Sequence, residues 1–131
     1  DLNSLLKLNS FFLFGPRGTG KSFWIQHSLP KAKLFDLLDA DVYGRLLRRP
    51  RQLGEEISVR EDIVVIDEIQ RLPALLDEVH RLIETRGIKF LLTGSSARKL
   101  RHSGVNLLAG RAWEAGFYPL CSREIPDFNL A

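Results

Sequence analysis

The stretch Gly15-Pro16-Arg17-Gly18-Thr19-Gly20-Lys21-Ser22 fits the spacing G-x-x-x-x-G-K-[ST] in full, a pattern suited to cradling phosphate groups. Gly15 and Gly20 let the backbone curl so that N–H groups point inward at phosphate oxygens. Lys21 supplies a mobile positive charge for the β and γ phosphates, and Ser22 a hydroxyl for Mg²⁺. A helix starting near Lys21 adds its positive N-terminal end. The competing structural reading is a glycine-rich turn between strand and helix. The complete motif in its strand–loop–helix setting argues against it.

Two further segments end in groups that could act on a bound nucleotide. Ile63-Val64-Val65-Ile66-Asp67-Glu68 is an apolar strand closed by adjacent carboxylates. Asp67 would reach Mg²⁺ through its water shell, and Glu68 would polarise a water for attack on the γ phosphate. Such a pair suits hydrolysis by water better than transfer to a metabolite. Leu91-Leu92-Thr93-Gly94-Ser95-Ser96 is a strand closed by small hydroxyl residues. Thr93 or Ser95 would sense the γ phosphate; the alternative for these hydroxyls is capping a helix over residues 97–101.

Positioning these groups requires a scaffold, and the apolar pattern supplies one. Strands are expected over Phe11–Phe14, Lys33–Leu38, Ile63–Ile66, Ile88–Thr93 and Ala112–Tyr118, where short apolar runs recur. Helices are expected over Gly20–Leu29, Val42–Leu47, Arg51–Ile57 and Leu72–Thr85. The last carries Leu72, Leu75, Leu76, Val79, Leu82 and Ile83 at helical spacing, with Pro73 in its first turn and Gly87 as its stop. Strand and helix in alternation imply a parallel sheet with helices on its faces.

Composition narrows the class. The 131 residues are 44% hydrophobic and 27% charged, which suits one domain, 1–131, and excludes a disordered chain. The apolar runs are far shorter than the roughly 20 residues that span a membrane. No secretory signal pattern opens the chain. Cys121 stands alone, so there is no internal disulfide, and a reducing, cytoplasmic setting is expected. The absence of methionine suggests a piece of a longer protein. The net charge of +3 does not diagnose nucleic-acid binding. The basic runs at Arg45, Arg48, Arg49 and Arg51 and at Arg98, Lys99, Arg101 and His102 read first as solvated helix faces, with nucleic-acid contact as the alternative. His27, His80 and His102 have no metal-ligand spacing.

Taken together, GPRGTGKS, VVIDEIQRLPALLDEVHRLIE, FLLTGSSARKL and LLAGRAWEAGFYPL resemble a prokaryotic family of AAA-type ATPases related to the archaeal ATPases. The resemblance runs from about Leu5 to about Phe128. It implies an α/β P-loop NTPase, a three-layer sandwich whose parallel five-stranded sheet has the order 5-1-4-3-2 with helices on both faces. It implies ATP and ADP as ligands and Mg²⁺ as cofactor. Residues 15–22 would bind nucleotide, with Lys21 and Glu68 catalytic, Ser22 and Asp67 on the metal, and Thr93 to Ser96 as sensor segment. Arg111 falls on a family arginine that contacts the γ phosphate of a neighbouring subunit, which would make the protein a homo-oligomer. A C-terminal domain of the parent chain would follow, with residues 121–131 as tail or linker. The competing functions are a nucleotide-regulated switch, a nucleic-acid-associated module with negligible ATPase activity, and a small-molecule P-loop kinase.

Overall fold

Strands buried on both faces read as near-continuous apolar runs, because neither side meets water. The computed structural model describes residues 10–15, 21–95, 112–116 and 127–129, with the backbone alone at 21, 22, 24, 112–116 and 127–129. Along the chain lie β1 (Ser10–Phe14), α1 (Lys21–Ser28), β2 (Lys33–Asp36), α2 (Ala40–Arg48), α3 (Gln52–Glu56), β3 (Ile63–Asp67), a 3-10 turn (Ile69–Arg71), α4 (Leu75–Arg86), β4 (Lys89–Gly94), β5 (Ala112–Gly116) and β6 (Asp127–Asn129). They form one sheet in the order β2-β3-β4-β1-β5-β6. Neighbours are parallel except β5 and β6, which are antiparallel.

The period of two along each strand divides the core into two layers. Phe12, Val64, Ile66, Phe90 and Leu92 face one side, where they meet Leu46, Leu53, Leu75, Leu76, Val79 and Leu82 from α2, α3 and α4. Phe11, Leu13, Val65 and Leu91 face the other, against Ile25 and Leu29 of α1. Each fully buried aliphatic or aromatic side chain contributes roughly 1.5–3 kcal/mol by leaving water. Asp67 and Thr93, continuing the alternation of Val65 and Leu91, fall on the α1 side.

Several boundaries depart from the sequence expectation, with β2 ending at Asp36 and not at Leu38. The helix expected from Leu72 begins at Leu75, with Ala74 as its N-cap residue. Glu68 adopts a left-handed conformation (φ 64°) and opens the 3-10 turn, so the chain reverses after β3 before the helix can start. Pro73 therefore precedes the helix, its carbonyl accepting from Leu76 N–H at 3.0 Å. Helix α2 starts two residues earlier than expected, because the Asp39 side chain caps it by accepting from Asp41 N–H and Val42 N–H. Finally, Asp127–Asn129, expected within a tail or linker at 121–131, pair with β5 as an edge strand. That pairing satisfies backbone groups which a sheet edge would otherwise expose, and it makes the sheet mixed. Three residues are too few for a periodicity signal. Gly87 caps α4 in the left-handed region (φ 67°), its N–H donating to Ile83 O.

The basic run after Asp41 is partly consumed by local ion pairs. Arg45 donates to both carboxylate oxygens of Glu56 at 2.6 and 2.9 Å, and Arg49 to both of Glu55 at 3.1 and 2.6 Å. These forks join α2 to α3 across the break at Pro50. Among the described residues no helix is long and apolar enough to cross a membrane.

Hydrogen bonding from Arg45 holds the Glu56 carboxyl below its ordinary range. Its stabilisation is therefore complete above the unfolded-state pKa and lost as pH falls through the lowered folded-state value. Glu56→Gln should lower the thermal midpoint at pH 7, and the gap from the parent should close as the pH falls through and below the ordinary carboxylate range. A gap that does not change with pH would show that the ion pair itself contributes nothing.

Candidate functional site

The C-terminal ends of parallel strands are where an open α/β sheet gathers functional groups, and here β1, β3 and β4 end side by side. Phe14 pairs with Gly94, and Ile66 with Leu92. The next step along each strand brings Asp67 beside Thr93. The Thr93 hydroxyl donates to Asp67 Oδ1 in a short hydrogen bond, and it accepts from Glu68 N–H at 3.1 Å. Thr93 is fully buried and Glu68 is 3% exposed. One hydroxyl thus holds the side chain of one acid and the backbone of the next.

Glu68 is the one described non-glycine residue with positive φ. Such a conformation costs roughly 1–2 kcal/mol for an L-residue, and here the bond from Glu68 N–H to Thr93 helps to hold it. The turn also swings Glu68 out of strand alternation, so that adjacent carboxylates do different things. Asp67 lines a groove of about 400 Å³ between α1 and β2, together with Asp36, its register partner on β2. Glu68 instead accepts from Gln70 Nε2 at 2.6 Å, and the same nitrogen lies 3.4 Å from Ser95 Oγ.

The segment joining β1 to α1 is described at its two ends. Gly15 N–H donates to Gly94 O at 3.0 Å, so the loop leaves β1 tied to the end of β4. Helix α1 begins at Lys21, and Ser22 lies in its first turn. Pro16, Arg17, Gly18, Thr19 and Gly20 lie outside the described residues, as do Arg111 and the side chains of Lys21 and Ser22. The structure therefore brings Asp67, Glu68, Thr93 and Ser95 together beside the exit of β1. Among the described residues no group of three or more His, Cys, Asp or Glu is arranged to hold a metal ion.

A family model described as AAA domain matches residues 8–126. The chain belongs to the AAA domain family. That family is one of nucleotide-binding, ATPase-like domains, and the mixed α/β architecture, with β1 to β5 parallel, fits the P-loop NTPase fold. A comparison with curated proteins returned no significant match.

Gln70 is the residue that sequence reasoning passed over. It stands in the DEIQ string that helped carry the family resemblance, yet nothing in its spacing says that a 3-10 turn brings it back to Glu68. The two hydroxyl candidates also separate. Thr93 commits its proton to Asp67, whereas Ser95 is half-buried and is approached only by a donor among the described contacts.

Thr93→Val keeps the shape and removes the hydroxyl. It takes from Glu68 N–H its acceptor and from Asp67 a donor in a buried setting. The expected loss is about 1–3 kcal/mol in chemical denaturation. Stability equal to the parent's would mean that the hydroxyl bridge does not hold the two acids.

Proposed function

We propose that the domain binds ATP with Mg²⁺ at the loop joining β1 to α1 and hydrolyses it, with Glu68 orienting the attacking water. The observation that carries this reading is the juxtaposition of Asp67 and Glu68, through Thr93, with the strand end from which the phosphate loop departs. The run β5-β1-β4-β3-β2 within the sheet supports the 5-1-4-3-2 arrangement that belongs to the same reading.

The residues present fit the cofactor. Mg²⁺ in nucleotide sites is bound by one or two protein groups together with phosphates and waters, so one carboxylate and one hydroxyl beside a phosphate loop are a sufficient donor set. Asp67 and the Ser22 hydroxyl would hold the ion, which when bound offsets phosphate charge and favours departure of the γ phosphoryl group. The chain's own residues do the rest. Backbone N–H groups of residues 15–20 and the start of α1 bind phosphate oxygens, and Lys21 adds a point charge. Glu68, nearly excluded from solvent, offers a carboxylate that can take a hydrogen bond from water and fix its direction. Because the Thr93 proton is already given to Asp67, the geometry favours Ser95 as the hydroxyl that meets the γ phosphate.

Arg111 completes the reading as a donor to the nucleotide of a neighbouring subunit, a contribution that can be worth about 10³–10⁵ in turnover. Turnover would serve a second domain of a longer protein.

Titration with a fluorescent ATP analogue, with and without Mg²⁺, is the primary test. Lys21→Ala should abolish binding while the fold melts normally. Glu68→Gln should bind as the parent does and hydrolyse roughly 10²–10⁴-fold more slowly. Loss of binding in Glu68→Gln as severe as in Lys21→Ala would overturn the division of roles. If Arg111 acts between subunits, turnover per chain should rise with protein concentration, and Arg111→Ala should remove that rise.

A further inference from the structure

Gln70 sits in an arrangement that stability alone does not explain. Its Nε2 donates to Glu68 Oε1 at 2.6 Å and approaches Ser95 Oγ at 3.4 Å. Its Oε1 is buried with no hydrogen-bond partner, a condition that costs free energy in any fold. The amide is not free to turn over and satisfy that oxygen elsewhere, because reversal would set an amide oxygen against a carboxylate oxygen, two acceptors face to face. Gly94 provides the space: a Cβ there would lie 2.5 Å from Gln70 Oε1. Strand β4 thus ends in a residue without a side chain, and the vacated volume holds an amide that bridges the strand end to Glu68.

An amide nitrogen carries two hydrogens. One goes to the Glu68 carboxylate, a short bond to a charged acceptor and the stronger kind. The other is directed at a serine hydroxyl that is still about 0.2 Å beyond the ordinary hydrogen-bond range. A serine that donates its own proton elsewhere keeps its lone pairs for Gln70. We propose that Gln70 is a positioning residue that couples Ser95 to Glu68: when the Ser95 hydroxyl donates to a nucleotide phosphate, its contact with Gln70 Nε2 tightens, and the amide carries the Glu68 carboxylate with it. The proposal rests on the reading above, in which Glu68 orients water and Ser95 meets the γ phosphate.

Gln70→Met separates positioning from support. Methionine has nearly the length of glutamine, no donor, and no oxygen to leave unsatisfied. The Gln70→Met chain should melt close to the parent temperature, because loss of the bond to Glu68 is offset by removal of the unsatisfied oxygen, and bind a non-hydrolysable ATP analogue within about twofold of the parent. It should turn over about tenfold more slowly or worse, the scale expected when a catalytic group is misplaced. Ser95→Ala should also be slow, and the double variant no slower than the slower of the two single variants, since both changes break one link. The side-chain amide of Gln70, followed by ¹⁵N NMR, should shift when the analogue is added to the parent and stay put in Ser95→Ala. Parental turnover in Gln70→Met beside an impaired Glu68→Gln would overturn the coupling and leave the ATPase reading standing. Stability and turnover lost in parallel would reduce Gln70 to a packing role and overturn it as well. If Glu68→Gln is as active as the parent, or the chain turns over no ATP, the reading of Glu68 fails and the NMR experiment decides alone. An amide that ignores the analogue, or shifts equally in Ser95→Ala, overturns the coupling.

Discussion

Strand β4 is hydrogen-bonded along both edges and buried on both faces, and where its C-terminal end stops determines everything at the site. Its register with β1 sets Gly94 beside Phe14 and so the point at which the chain leaves the sheet towards α1. Its register with β3 sets Thr93 beside Asp67. A slip of one residue would turn every side chain of the strand to the opposite layer. Phe90 and Leu92 would then leave the core shared with α4, and the Thr93 hydroxyl would leave the acids. The packing of two apolar layers and the geometry of a polar cluster are thus one constraint.

The cluster illustrates how a polar group is held at the rim of an apolar core. Asp67, Glu68, Gln70, Thr93 and Ser95 lie within one turn of strand ends whose preceding residues are wholly apolar. At such a boundary a hydrogen bond is stronger than in water, and a missing one is more costly. Glu68 in a left-handed conformation and Gln70 with an unsatisfied oxygen are both unfavourable locally. They are held by the bonds from Glu68 N–H to Thr93 and from Gln70 Nε2 to Glu68. Backbone strain of this kind is commonly found where a protein does chemistry.

The helical layer on the opposite face is organised by arginine forks. Besides the two pairs between α2 and α3, Arg81 grips the buried Glu78 at 2.9 and 2.5 Å, next to Gly54 of α3. Arg86 donates to the carbonyl oxygens of Gly54, in α3, and of Ile57 and Ser58, just beyond its end, where a helix leaves carbonyls without intrahelical partners. The planar guanidinium, with five donors in a fixed fork, suits both tasks. Arg45 and Arg49 of the basic run are therefore used inside the molecule, with their charge offset by Glu56 and Glu55.

The amino-acid sequence by itself determined the elements and the chemical inventory. Local periodicity located the strands and helices, and the spacing of Gly15, Gly20, Lys21 and Ser22 and the ending of an apolar strand in Asp67 and Glu68 named the groups. What it left open was which groups meet. Strands β1, β3 and β4 are apolar on both sides, so their composition carries no record of which face a residue serves, or of whether Thr93 or Ser95 would stand beside Asp67. Those facts follow from inter-strand hydrogen bonds between segments about 26 residues apart in register, and no local pattern encodes a register. The same holds for Gln70, for the partners of the arginines, and for the edge strand at Asp127–Asn129. Each is settled by where the folded sheet leaves a donor, a carboxylate or an open edge, and only the tertiary structure decides that.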